Sequence, residues 1–377
     1  MSADAPEQPR PRIAISLGDP HGIGTELALK LLEDPRILRL CTPVLVGSGK
    51  VLHVYRKLLD LEKVVYQQVD HPNDIRPDRI NLVDASAEVG KIEPGVASPE
   101  AGKIAFEALE LAVKYLKQGA ADALLTLPID KQTIQSTGFA FPGHTEYLAA
   151  QFGGGQTLML MVHPGLRVGV VTGHIPLKQV PSALTQTGIV QKLTVLKECL
   201  QLDFGIRKPK LAVLGLNPHA GDGGLLGDED LSVIAPAVKQ TYNKGWLCFG
   251  PYSADGFFAM GQYTGFDGIL AMYHDQGLIP FKTLSRGEGV NYTAGLPIVR
   301  TSPDHGTAYD IAGKGVADVT STRNALYLAI DTWRTRAENK ALLENALGAV
   351  ELPAHLKAEM DETVPDEPET SSHTAMA

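Results

Sequence analysis

Three histidines follow apolar runs in the same way. The run 167–172 (RVGVVT) leads into Gly173-His174, the run 210–216 (KLAVLGL) into Asn217-Pro218-His219, and the run 268–273 (GILAMY) into His274-Asp275-Gln276-Gly277. Neutral imidazole is the commonest side-chain metal ligand, and three of them leave coordination positions open for substrate and water. A divalent ion held this way acts as a Lewis acid on a substrate oxygen. Asp222 and Asp275 are close enough in sequence to orient a ring by hydrogen bonding. Any one of these histidines alone would more often cap a strand end. Three in equivalent positions point to a site; the spacing alone is a weak signal, since no short HxH or HExxH pattern is present.

Cationic and polar residues follow. Lys282, Asn291 and Arg300 come at intervals after His274, and Arg300 ends the apolar run 296–300. A guanidinium suits bidentate binding of phosphate or carboxylate, and lysine adds a point charge. Gly143-His144-Thr145-Glu146 opens a helical stretch, with Thr145 in a position to serve as N-cap, and a helix N-terminus favours anions. Gly18-Asp19-Pro20-His21-Gly22-Ile23-Gly24 lacks the GxGxxG spacing. It reads as a turn into a helix near Thr25-Glu26 and not as a dinucleotide fingerprint.

The elements that position these groups alternate. Strand-like runs at 12–17, 43–47, 122–127, 157–162, 167–172, 210–216, 268–273 and 296–300 are separated by helical stretches at 25–33, 99–118, 186–201, 230–243 and 321–347. Pro99 after Ser98 and Gly119 mark the start and stop of one helix. This alternation predicts an α/β fold with largely parallel sheets, in which ligands bind at the carboxyl ends of the strands. So many strands in 377 residues favour two α/β domains. Residues 1–11 and 353–377 read as disordered.

Composition excludes other classes. The chain has 34 Lys+Arg against 43 Asp+Glu, a net charge of −9, and a nucleic-acid or anionic-membrane protein needs a basic face. Six acids lie between Glu359 and Glu369, and no Lys or Arg follows position 358, so most of the acidity belongs to the tail. No run approaches a membrane span and no secretory signal opens the chain, which predicts a cytoplasmic protein. Cys41, Cys199 and Cys248 are too few and too scattered for a disulfide framework or a cysteine-type zinc site.

The blocks GDPHGIGTE (18–26), GHTEYL (143–148), TGHIPL (172–177), GLNPHAGDGGLLGDED (215–230), MYHDQGLIPFK (272–282) and GVNYTAGLPIVRTSPDHGTAYDIAGKG (289–315) resemble, in order, the 4-hydroxythreonine-4-phosphate dehydrogenases of vitamin B6 (pyridoxine) biosynthesis. The resemblance covers most of residues 12–345. It implies an isocitrate/isopropylmalate-dehydrogenase-like fold in a homodimer, with active sites in clefts at the dimer interface. The domains would be residues 12–140 with 308–350, and residues 141–307. The implied metal ligands are His174, His219 and His274, the last from the partner subunit. The implied substrate-binding residues are His144, Thr145, Lys282, Asn291 and Arg300.

His305-Gly306-Thr307-Ala308-Tyr309-Asp310-Ile311-Ala312-Gly313-Lys314 is similar to the adenosine-binding loop of isopropylmalate dehydrogenases. The similarity implies an oxidoreductase that binds NAD through His305, Asp310, Ile311, Ala312 and Gly313. Asp310 can accept from a ribose hydroxyl and would repel a 2′-phosphate, which favours NAD over NADP. The implied reaction is oxidation of 4-phosphooxy-L-threonine at C3 and decarboxylation to 3-amino-2-oxopropyl phosphate. Asp255 would be its proton acceptor or a polar anchor. Zinc suits the imidazole set best, with cobalt, manganese or magnesium as alternatives.

The sequence departs from the family at Thr25, Leu127 and Asp130, and in Ser253-Ala254-Asp255-Gly256, which stands for Pro-Ala-Asp-Thr and keeps Asp255. Dihydrodiol dehydrogenases of aromatic carboxylates lose the His-Thr of GHTE, which this chain keeps. Two other readings compete. Relatives oxidising 4-phospho-D-threonate or 4-phospho-D-erythronate share the motifs but more often carry His at the Leu278 position. A metal-dependent hydrolase would use the same histidines without NAD.

Overall fold

The computed structural model describes residues 10–85, 89–141, 143–153 and 155–344. Residues 1–9 and the acidic tail 353–377 lie outside this range. Among the described residues, twelve strands form one continuous sheet: β1 Arg12–Ser16, β2 Thr42–Gly47, β3 Tyr66–Gln68, β4 Ile80–Asp84, β5 Ala123–Thr126, β6 Leu158–His163, β7 Leu166–Thr172, β8 Lys210–Leu214, β9 Leu247–Tyr252, β10 Gly268–Tyr273, β11 Val290–Ala294 and β12 Val299–Pro303. Their spatial order is β3-β4-β2-β1-β5-β12-β11-β6-β7-β10-β8-β9.

The separate sheets expected from the strand count are therefore joined. The join is made where β12 pairs parallel with β5 and antiparallel with β11, and β11 pairs antiparallel with β6. The only other antiparallel pair is the β6–β7 hairpin, and every remaining pairing is parallel. Central strands such as β2 are buried at every position, as expected when helices cover both faces.

Helices cover the sheet where the pattern predicts them. The helix Pro99–Lys117 starts with Pro99 in its first turn and Ser98 Oγ accepting from Ala101 N at 3.1 Å. The helix Gln186–Leu202 is capped by Thr185. The stretch expected as one helix at 230–243 is a π turn, Asp230–Ile234, followed by an α-helix, Ala235–Tyr242.

Strands β3, β4, β9 and β11 were not predicted. β3 has three residues, and β11 is short and begins directly after Gly287 and Gly289. The last predicted strand begins later than expected. Gly295 adopts φ +84° and Pro297 has no N–H to give, so pairing starts at Val299 and Arg300 lies inside β12. The described residues up to Ala337 form one compact unit. No helix among the described residues is long and apolar enough to cross a membrane.

Candidate active site

β7 and β10 are neighbours, with Thr172 opposite Tyr273 at their carboxyl ends. Gly173-His174 and His274 therefore leave the sheet side by side. Their ring centroids are 5.4 Å apart. His274 Nδ1 lies 2.7 Å from Asp275 Oδ1, which fixes the ring and leaves Nε2 free. Burial, helped by the charges of Lys131 and His274, lowers the His174 pKa and keeps this imidazole neutral, as a metal donor must be.

His219 is exposed in the loop after β8. Residues 219–223 all have positive φ, including the non-glycines His219, Ala220 and Asp222. Such backbone is costly and persists only when its surroundings hold it. The fully buried Asp230 carboxylate does so, accepting from Leu216 N at 2.8 Å and from Asn217 N at 3.1 Å. Gln276 ties this loop base to β10, accepting from Met272 N and donating to Gly215 O.

Asp255 is exposed next to His219, whose charge, after the bonds from Ser253 and Gly256, helps hold its carboxyl below the usual range. Asp222 orients no ring among the described residues. Within one chain the structure thus brings together His174 and His274, with His219 and Asp255 outside the lining of their cleft. No group of three His, Cys, Asp or Glu among the described residues gathers to hold a metal ion.

That cleft has a volume of about 610 Å³ and contains all five predicted substrate residues. Arg300 is 3% exposed. Its Nε and Nη2 donate to Thr126 Oγ1, and its Nη1 donates to Thr293 Oγ1 at 3.1 Å. No carboxylate forms an ion pair with it among the described residues; burial lowers its pKa to about 10, and the Glu146 carboxylate of the same cleft opposes that only in part. Beside it, His144 Nε2 and Asn291 Oδ1 are buried with no hydrogen-bond partner. Burial and the charges of Arg300 and Lys131 push the His144 pKa well down.

A buried guanidinium in no ion pair, next to unused polar atoms, is suited to receive an anion. Thr145 is not the N-cap. The helix starts at His144 with Gly143 in the cap position, and Thr145 Oγ1 faces Thr293 Oγ1 at 3.4 Å on the cleft side. Lys282 is paired with Asp304 at 3.0 Å. Four charged residues of the cleft were not among the predicted site residues: Lys131, Glu146, Lys192 and Asp304. The Pro-Ile-Asp-Lys block around Lys131 was the available signal.

The 305–314 loop enters the same cleft through His305, whose Nε2 is also buried without a partner. Asp310 is exposed, Ile311 and Gly313 are half-buried, and Ala312 is buried against Ile23 and Leu27 of the first helix, Gly24–Leu32, and the residue before it.

The comparisons agree with this geometry. Residues 39–329 match the family model described as pyridoxal phosphate biosynthetic protein PdxA. A 4-hydroxythreonine-4-phosphate dehydrogenase of Bacteroides thetaiotaomicron is 50% identical over 90% of this chain and 94% of its own. That of Sulfurihydrogenibium sp. is 44% identical over 86% of this chain and 99% of its own. The solved 4-hydroxythreonine-4-phosphate dehydrogenase from Klebsiella pneumoniae superposes with a TM-score of 0.74 at 37% identity, over 86% of this chain and 98% of that one. A chain so similar along nearly its whole folded length, with the expected polar residues gathered in one cleft, belongs to the PdxA family, the 4-hydroxythreonine-4-phosphate dehydrogenases of pyridoxal phosphate biosynthesis.

Proposed function

We propose that the chain catalyses NAD-dependent, divalent-metal-dependent oxidation of 4-phosphooxy-L-threonine at C3, with decarboxylation to 3-amino-2-oxopropyl phosphate. The observation that carries this reading is Arg300: a buried guanidinium in no ion pair among the described residues, with only the Glu146 carboxylate nearby to offset its charge, beside His144 Nε2 and Asn291 Oδ1, which have no hydrogen-bond partner there. Together with Thr145 these groups hold the phosphate. A dianion there offsets the desolvation that Arg300 bears in the free enzyme. Lys131 and Lys282 add positive charge at the rim, which draws the anionic substrate in.

The donor set suits a metal. His174 is neutral, and Asp275 fixes His274 with Nε2 exposed. One chain does not gather three ligands, so the set His174, His219 and His274 is completed across two copies of the chain. The exposed aliphatics Leu225, Leu231, Met260 and Ile279, near His219 and His274 in sequence, favour such a homodimer face. Zinc fits the imidazole set, with cobalt, manganese and magnesium as alternatives. When bound, the metal supplies Lewis acidity toward the C3 oxygen and the dinucleotide supplies a hydride acceptor.

The loop 305–314 suits NAD because His305 Nε2 has no protein partner and the exposed Asp310 carboxylate can meet a ribose hydroxyl. Asp255 is the candidate proton acceptor, with a carboxyl held low and therefore ionised at neutral pH. In this reading the chain has two α/β domains, residues 12–140 with 308–350 and residues 141–307, and the protein is cytoplasmic. The described part of the segment 308–350 ends at 344.

The test incubates metal-loaded protein with NAD and, separately, 4-phosphooxy-L-threonine, 4-phospho-D-threonate and 4-phospho-D-erythronate, following NADH and CO2. NADH with CO2 from the first substrate alone is the expected result. Preference for a phosphorylated sugar acid, or phosphate release without NADH, overturns the assignment.

A further inference from the structure

The motif Gly18–Glu26 binds no phosphate in the reading above, yet it is among the most buried polar stretches of the chain. Asp19, Thr25 and Glu26 are each 0% exposed. Several of the motif's bonds lead to the segment 307–317. Ile23 N donates to Thr307 O at 3.0 Å. Glu26 accepts from Ala317 N at 2.9 Å and from Gly315 N at 3.3 Å, and pairs with Lys30, whose Nζ also donates to the carbonyls of Gly315 and Ala317. Between these anchors, Tyr309 Oη donates to Asp19 Oδ2 at 2.8 Å.

Asp19 itself is fixed to the cleft wall. Its N–H donates to Pro128 O at 2.9 Å, and its Oδ1 accepts from His21 N at 2.8 Å. The preceding Gly18 has φ +70° and packs so tightly on Pro128 that no side chain fits. The carboxylate is thus held at a set distance from the ends of β1 and β5. The segment 305–317 has no regular secondary structure and contains Ala308 at φ +45°. Its own backbone bonds are short turns, Ile311 N to Ala308 O, Ala312 N to Tyr309 O and Lys314 N to Ile311 O, and the tethers fix where those turns sit.

We propose that the Tyr309 hydroxyl and the buried Asp19 carboxylate form a positioning clamp that holds the 305–314 loop in its dinucleotide-binding shape. Tyr309 is the residue between the His305 end, which enters the substrate cleft, and Asp310, which meets the ribose. The clamp rests on the reading of this loop as the NAD site. Without Tyr309 Oη, Asp19 retains one donor, from His21, and the middle of the loop loses the bonds of that hydroxyl to Asp19 and Thr133 while keeping the packing of Ala312 on Ile23 and Leu27. The dinucleotide must then order the loop as it binds, which weakens binding without changing chemistry once it is bound.

The experiment is NADH fluorescence titration of metal-loaded enzyme, with steady-state kinetics, for Tyr309→Phe, Asp310→Ala and Asp19→Asn. Tyr309→Phe removes one oxygen and keeps the ring, so the fold persists. The expected result is an NADH Kd and an NAD KM raised about tenfold, as for loss of one hydrogen bond to a charged group. The kcat at saturating NAD and the substrate KM should change less than threefold. Where Asp19→Asn folds, adding it to Tyr309→Phe should produce little further loss, because both break the same bond. An unchanged Kd in Tyr309→Phe alongside a raised Kd in Asp310→Ala overturns the clamp and leaves the loop assignment standing. Unchanged Kd values in both variants overturn the clamp and the loop assignment together.

Discussion

Replacing Arg300 with Met separates a phosphate receptor from a structural arginine. Burial lowers the Arg300 pKa from 12.5 to about 10. At 1.36 kcal/mol per unit this corresponds to roughly 3 kcal/mol against the charged form in the folded free enzyme. Neutral pH lies below both values, so the charge is present in both the folded and unfolded states and the folded state alone bears the penalty. Met fills similar length and removes it. The change leaves Thr126 and Thr293 without their guanidinium bonds, at about 1 kcal/mol each. The free variant should therefore be as stable as the parent or more stable by about 1 kcal/mol, a rise in Tm of a few degrees at most.

Substrate binding moves the other way. Losing one side of a buried charge pair costs about 2–5 kcal/mol, so the KM should rise roughly a hundredfold or more. Melting curves of both proteins with and without 4-phosphooxy-L-threonine read the two effects together. At about a hundred times Kd the parent gains about 2.7 kcal/mol, and the variant at the same concentration gains almost nothing. A variant that melts far below the parent yet shows the parent's full substrate shift would refute the assignment of Arg300 to the phosphate.

His219→Ala should abolish turnover and bound metal while Tm stays within about a degree, because an exposed side chain contributes little stability; near-normal activity in a metal-depleted sample of this variant would exclude the metal role. Lys131→Met should raise the pKa of His144 and His174 in an NMR titration, since its charge lowers both, and should raise the substrate KM about tenfold; unmoved histidine shifts would contradict the proximity. Stability should fall as pH drops below about 6.5. His144 and His305 have folded pKa values below their unfolded value of 6.5, so in that window the unfolded chain binds protons that the folded chain does not. Melts from pH 8 to 5.5 should show this slope reduced in His144→Gln, and an unchanged slope would remove His144 from the account.

The chemistry of this protein was legible in its sequence because strand ends carry it. Apolar runs announce β7, β8 and β10, and the polar residues just after them must emerge at the carboxyl edge, where α/β sheets bind ligands. That argument singled out His174, His219 and His274, and residue type and position had already marked His144, Thr145, Lys282, Asn291 and Arg300 as candidate anion binders before the family blocks were compared. Helix starts such as Ser98-Pro99 were legible for a similarly local reason, since capping involves only three or four neighbouring residues.

Tertiary structure decided what depends on partners distant in sequence. The hydrogen bonding of β12 to β5, some 175 residues earlier, turned two expected sheets into one and placed Arg300 inside a strand over Thr126. Whether a cation has a counter-ion is a fact of space, so Arg300 and Lys282 looked alike in sequence, yet only Lys282 is paired. The spacing of His174 and His274 follows from which strands are neighbours, and the exposure of His219 from a loop wound through positive φ. The bond from Tyr309 to Asp19 joins residues 290 positions apart. Periodicity reports which face of an element is apolar, but it carries no information about which distant side chain a hydroxyl will meet.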